Sequence, residues 1–282
     1  EGALKIELTV KGDQGTMATS EVNITLTKPE PTPEPGEGEM VDSRDNHVYK
    51  TVEIGEQTWM AENLAYLPKV NKPAAAATCE GEPLYFVYDY DGEDVNAAKN
   101  TETYKTYGVL YNWYAAMNKE NEEGKDADAV PSGVQGICPS GWHLPSKAEW
   151  KILENFVAEQ LPPVEGDVGE DDFGDKHSDP NCKNVWSALA GLEGWGASGN
   201  SDMNPDLANG PRNTYGLTVI PSGQCYQTGS FGWSESGADF WTTEMQSQGA
   251  GNITFSNNSY GITYSKYGIT PKRGFPIRCI KD

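Results

Sequence analysis

No stretch of about 18 consecutive apolar residues occurs in this 282-residue chain, so the sequence holds no candidate membrane-spanning helix. Histidine is scarce. His47, His143 and His177 are far apart, and no His-Glu-x-x-His pattern is formed. A Gly-x-Ser-x-Gly elbow and a P-loop are also missing, which leaves hydrolytic and nucleotide-dependent chemistry without their usual marks. The five cysteines, Cys79, Cys138, Cys182, Cys225 and Cys279, show no C-x-x-C spacing, and this argues against a structural zinc site. In an oxidising compartment one or two bridges are expected, and the odd count leaves at least one thiol unpaired within the chain. Positive charge is the other shortage. Lys and Arg number 21 against 42 Asp and Glu, a net charge of −21 that repels phosphate backbones and anionic membranes. Nucleic acid is therefore excluded as a partner. The acidic surface suits solubility outside the cell, with divalent-cation binding as the sharper alternative. The chain opens on the strand-like Glu1-Gly-Ala-Leu-Lys-Ile, so a targeting segment is expected to have been removed or left out.

What the sequence does have is concentrated between Gly136 and Trp150, Gly-Ile-Cys-Pro-Ser-Gly-Trp-His-Leu-Pro-Ser-Lys-Ala-Glu-Trp. Ser146 followed by Glu149 is a capping box, in which each side chain satisfies a backbone donor of the other residue. Trp150, Leu153, Phe156 and Val157 follow at helical spacing, which predicts a helix over 147–160 with one face in a core. Near the other end, Phe275-Pro-Ile-Arg-Cys-Ile280 is strand-like and carries a second cysteine. A helix and a last strand that each bear a cysteine imply a fold closed by a long-range bridge. Two free thiols, or half-cystines with other partners, are the alternatives.

Composition divides the chain into three. Residues 3–10 and 21–27 alternate apolar and polar around the polar Lys11-Gly-Asp-Gln-Gly15, so residues 1–28 read as a β-hairpin. Two strands alone are marginal in water and need a partner surface. Three readings stay open: the tail of an upstream β-sandwich domain, a hairpin docked on the main domain, or one that pairs with a neighbouring subunit. The alternating prolines of Pro29-Glu-Pro-Thr-Pro-Glu-Pro-Gly-Glu-Gly38 predict an extended spacer over 29–40. From residue 41 to 282 short strands surround two or three helices. Helices are expected at 109–118, 147–160 and 184–192. Strands are expected at 48–54 and 57–60, turned at Gly55-Glu56, and at 216–221, 238–244, 251–256, 260–265 and 275–280, with a hairpin turn at Asn257-Asn258-Ser259. Strands at both ends with helices grouped between them make the class α+β.

Five motifs occur in a telling order: Trp59-Met-Ala-Glu-Asn-Leu64, Tyr107-Gly-Val-Leu-Tyr-Asn-Trp113, Cys138-Pro-Ser-Gly-Trp-His-Leu-Pro145, Phe240-Trp-Thr-Thr-Glu244 and Ile277-Arg-Cys279. Together they resemble the Fibrobacter succinogenes major paralogous domain, found on surface and secreted proteins of Bacteroidetes, over about residues 41–282. The resemblance implies a C-type lectin-like fold, distantly similar to formylglycine-generating enzymes, whose helix start is like Leu144–Trp150. In such folds a cysteine near the first helix bridges to one in the final strand. By position these are Cys138 and Cys279, and in the chain-entropy model a loop of this length is worth about 4–5 kcal/mol. The resemblance also implies an extracellular or outer-membrane address, on a fimbria or a lipoprotein. Where sugar-binding C-type lectins carry a Trp-Asn-Asp calcium motif, this chain has Phe240-Trp-Thr-Thr-Glu244.

Two regions hold candidate ligand contacts. The acidic run that contains Asp167, Glu170, Asp171, Asp172 and Asp175 offers several oxygen ligands for calcium, although it lacks the EF-hand register and also reads as a solvated loop. Calcium is the one cofactor under consideration. The Gly-rich segment 191–236 holds Trp195, Tyr226 and Trp233 as stacking platforms, with Asn200, Asp202 and Gln224 as hydrogen-bonding partners. Core packing is the competing role for each ring. No catalytic residue is assigned. The function expected is a non-enzymatic surface or secreted module that binds glycan or protein. A structural assembly subunit, or an enzyme related to formylglycine-generating oxidases, is the alternative.

Overall fold

The computed structural model describes residues 2–11, 17–26, 34–118, 128–161, 182–196, 212–257 and 261–282. The chain divides into two compact units, Glu1–Glu34 and Pro35–Asp282. In the first, β1 (Gly2–Lys11) runs antiparallel to β2 (Met17–Leu26). Their register pairs Leu4 with Ile24, Ile6 with Val22 and Val10 with Ala18, while Lys5 pairs with Asn23 and Glu7 with Glu21. Alternate residues of a strand share a face, so this register gathers the aliphatic positions on one face of the ribbon.

The second unit is α+β. Its elements in chain order are β3 (Glu39–Asp42), β4 (His47–Ile54), β5 (Gln57–Met60), α1 (Ala75–Thr78), β6 (Tyr85–Phe86), α2 (Val95–Lys99), α3 (Glu102–Tyr107), β7 (Leu110–Tyr111), α4 (Trp113–Met117), β8 (Trp142–His143), α5 (Lys147–Gln160), α6 (Cys182–Leu189), β9 (Ser222–Cys225), β10 (Phe231–Ser234), β11 (Gly237–Gln246), β12 (Gly249–Ser256), β13 (Gly261–Tyr264) and β14 (Ile280–Lys281). One five-stranded sheet has the order β3-β4-β5-β14-β8 and a second the order β10-β9-β11-β12-β13, while β6 pairs only with β7.

Local sequence explains the best-defined pieces. Helix α5 covers the predicted 147–160, and Ser146 and Glu149 form both halves of the capping box. Trp150, Leu153 and Val157 are buried, and Trp150 stacks on Trp59 at 4.5 Å and on Phe240 at 5.6 Å. Phe240 and Phe255 come from β11 and β12, so α5 lies on one face of the second sheet. Trp241, the next residue on β11, points to the opposite face. It packs on Phe275 at 4.3 Å and donates its indole N–H to Tyr111 O at 2.6 Å. Cys138 and Cys279 are joined in a disulfide that ties the approach to α5 to the final strand.

Elsewhere the structure departs from expectation, in several places because a side chain takes over a backbone bond. Six short helices are present among the described residues, not two or three. Of the three extra ones, α1 has no side-chain cap, while α2 and α3 start at the N-caps Asp94 and Thr101. The helix expected over 109–118 is split. Asn112 Oδ1 accepts from Leu84 N and Ala115 N, which ends β7 and starts α4 at Trp113. Residues 216–221 form no strand beyond a bridge between Ala190 and Val219. The last strand is short because most of 275–280 bonds to irregular chain. Met60 N donates to Cys279 O and Leu64 N to Ile277 O. That irregular chain is stapled by tyrosine hydroxyls. Tyr104 donates to Ala65 O, Tyr111 donates to Tyr66 O, and Tyr49 accepts from Ala65 N.

Candidate functional site

The segment 222–237 builds an aromatic surface on glycine. β9 and β10 form a hairpin whose ladder is interrupted between Gly232 and Ser234, where Trp233 has φ +71° and Gly223 opposite has φ +67°. Glu235 also has φ +70°. Non-glycine residues rarely adopt this conformation, and they hold it only where the surroundings fix it. Here they do. Ser236 N donates to Trp233 O, and Glu235 O accepts from Gly196 N and from Asn257 Nδ2. Tyr88 Oη donates to Ser234 Oγ at 2.9 Å. The Trp233 ring rests on Gly237, where a Cβ would come within 2.8 Å of its Cε3. The ring remains 37% exposed. Tyr226 rests likewise on Gly232, where a Cβ would come within 2.6 Å of its ring.

A polar group lies on the same sheet face. Gly237 and Asp239 are two residues apart on β11, about 7 Å, and the register sets Thr254 opposite Asp239 and Asn252 opposite Trp241. Asp239 Oδ1 accepts from Thr254 Oγ1 and from Asn252 Nδ2. Its Oδ2 has no hydrogen bond among the described residues, and the buried Asn252 Oδ1 has none either. Burial raises the Asp239 carboxyl to about 6, against bonds from Thr254 and the charge of Arg273 that favour the ionised form. Arg273 is itself held in place. Its Nε donates to Gln227 Oε1 at 2.8 Å, its Nη1 donates to Gln224 Oε1 at 3.0 Å, and its guanidinium lies 5.3 Å from the Tyr226 ring centre.

Of the residues singled out in the sequence, Trp233, Tyr226 and Gln224 meet on this hairpin. Gln224 is buried and acts by holding Arg273. Trp195 is buried against Trp186, 4.9 Å between ring centres, and is not at the surface. Asn200, Asp202 and the acidic positions Asp167, Glu170, Asp171, Asp172 and Asp175 lie outside the described residues. Among the described residues no group of three or more His, Cys, Asp and Glu side chains is placed to hold a metal. Asp239, Asn252, Thr254 and Arg273 were not found from the sequence. The one available signal was the apolar–polar alternation of β12, which marks Asn252 and Thr254 as one face.

Two other clusters are structural in character. Between α5 and the chain end, His143 Nε2 lies 2.7 Å from Glu149 Oε1 and His143 Nδ1 lies 2.7 Å from Asp282 Oδ1. Burial alone would lower the imidazole pKa, but the hydrogen bonds to the two carboxylates outweigh it, so the pKa is raised. Cys79 and Cys225 are buried free thiols. Burial pushes the Cys225 thiol up to about 12. On β11, Phe240, Trp241 and Glu244 are all buried.

No helix among the described residues is long and apolar enough to cross a membrane. No curated protein and no solved structure matches the chain. The sequence model of the Fibrobacter succinogenes major domain matches residues 52–281, nearly the whole of the second unit. With the five motifs now placed in one α+β body closed by the Cys138–Cys279 bridge, the chain belongs to the Fibrobacter succinogenes major domain family.

Proposed function

We propose that this protein is a non-enzymatic binding module of the cell surface or secreted space, which engages a glycan or protein ligand through the face around Trp233. The observation that carries the reading is the exposed Trp233 ring, held in a left-handed backbone conformation on Gly237 beside the Asp239–Arg273 group. Rare backbone geometry, an exposed aromatic and a partly satisfied buried carboxylate in one place are characteristic of a recognition surface. The disulfide and the acidic surface support an oxidising, extracytoplasmic address. The bridge from the start of α5 to the last strand supports a C-type lectin-like arrangement. An oxidase of the formylglycine-generating type needs a reactive thiolate, and the Cys225 environment opposes one. The test is a screen of the full chain against glycans and extracellular-matrix proteins, with and without calcium, beside Trp233→Ala. A ligand bound by the native chain and lost in the folded variant supports the reading. A ligand bound equally by both refutes it.

A second reading, assembly with another subunit, is favoured by the register of β1 and β2, which gathers aliphatic positions on one face of a two-stranded ribbon. Oligomers that vanish on deletion of residues 1–28 would support it, and a monomeric native chain would refute it.

A further inference from the structure

Resting on the binding face just described, we infer that its ligand is a neutral pyranose, held without a metal ion by Trp233, Asp239 and Arg273. A pyranose has an apolar C–H face and a rim of hydroxyls that both donate and accept. The site offers the counterpart of each. Trp233, a residue 37% exposed, presents a flat ring seated against Gly237. One strand repeat away, Asp239 Oδ2 is an acceptor with no hydrogen bond among the described residues. Arg273 Nη2 is a donor with none, on a guanidinium already fixed by Gln224 and Gln227.

The charges select within the sugars. Arg273, held by Gln224 on the strand next to β11, offsets the charge of Asp239, so this pair gives an anion no net attraction, and the −21 chain repels one. A uronic or sialic acid is therefore disfavoured. A divalent cation is disfavoured too, because the Arg273 charge acts on Asp239, the carboxylate that would have to hold it. Arg273 does here what a cation would do, and polarises hydroxyls from a fixed position.

The experiment is calorimetric titration of the full chain with neutral tetrasaccharides of glucose, mannose and galactose and with a tetragalacturonate, in EDTA and in calcium. At least one neutral sugar should bind, with affinities in the two buffers within twofold. Trp233→Ala and Arg273→Lys should each weaken it tenfold or more, and Trp233→Phe, which keeps a ring, should weaken it less than Trp233→Ala. Preference for tetragalacturonate, a requirement for calcium, or no binding of any neutral sugar would overturn the inference. If none binds yet an extracellular-matrix protein is captured and lost in Trp233→Ala, the pyranose inference falls and the binding face stands. If a neutral sugar binds and Trp233→Ala leaves its affinity unchanged, both fall.

Discussion

Asp239 is the residue whose chemistry is most exposed to test. Its folded pKa of about 6 stands above the ordinary 3.8, so the native state holds the proton more tightly than the unfolded chain. The cost of the buried charge is therefore fully present above about pH 6 and is relieved as pH falls toward 4. At one pKa unit per 1.36 kcal/mol the whole effect is about 2–3 kcal/mol. Asp239→Asn should be more stable than the native chain at pH 8 and should show a flatter dependence between pH 6 and 4 in urea denaturation. A variant that is equally pH-dependent would show that the charge is not buried as described. Gly237→Ala probes the ring's seat. The added methyl would displace Trp233 and meet Phe255 O at 3.0 Å, so ligand affinity should fall about tenfold, and about 1–2 kcal/mol of stability should be lost with it. Unchanged binding in this variant would mean that ring placement is irrelevant.

At the scale of elements, local and distant determinants separate cleanly. Helix α5 was legible because its information is contiguous: Ser146 and Glu149 mark the start, and Trp150, Leu153 and Val157 mark the buried face. The hairpin β4–β5 was legible for the same reason, through its turn at Gly55. Helices α1, α2 and α3 were missed because four to six residues show no periodicity, and only α2 and α3 are announced by caps, Asp94 and Thr101. The proposed binding face was half legible. Trp233, Tyr226 and Gln224 share one segment, but Asp239, Asn252 and Arg273 reach it only through the β11–β12 register and the return of the last segment. No local pattern encodes that meeting. Ser146→Ala should cost about 1–2 kcal/mol, because it removes the cap from Glu149 N and also the bond to Ala129 O. Reduction of the Cys138–Cys279 bridge opens a loop of 141 residues and should cost about 5 kcal/mol in the chain-entropy model, read as a lowered urea midpoint. A midpoint insensitive to reductant would show that the bridge does not cross-link the native chain.

For the whole molecule, the pH dependence of stability runs through few groups. His143 is held between Glu149 and Asp282, and its raised pKa favours the charged imidazolium. Its contribution is fully present below the unfolded value of 6.5 and is lost as pH rises through the folded value, the same direction as Asp239. Lower pH also reduces the self-repulsion of a chain of net charge −21. Thermal stability should therefore be higher at pH 5.5 than at pH 8, and His143→Gln should narrow the difference. Equal melting temperatures at the two pH values would contradict both assignments. Amide chemical-shift mapping of the full chain, titrated with the ligand that binds it best, locates the bound face. Shifts should cluster at Trp233, Asp239, Asn252 and Arg273. Shifts confined to α5, or to the ribbon of β1 and β2, would contradict this placement.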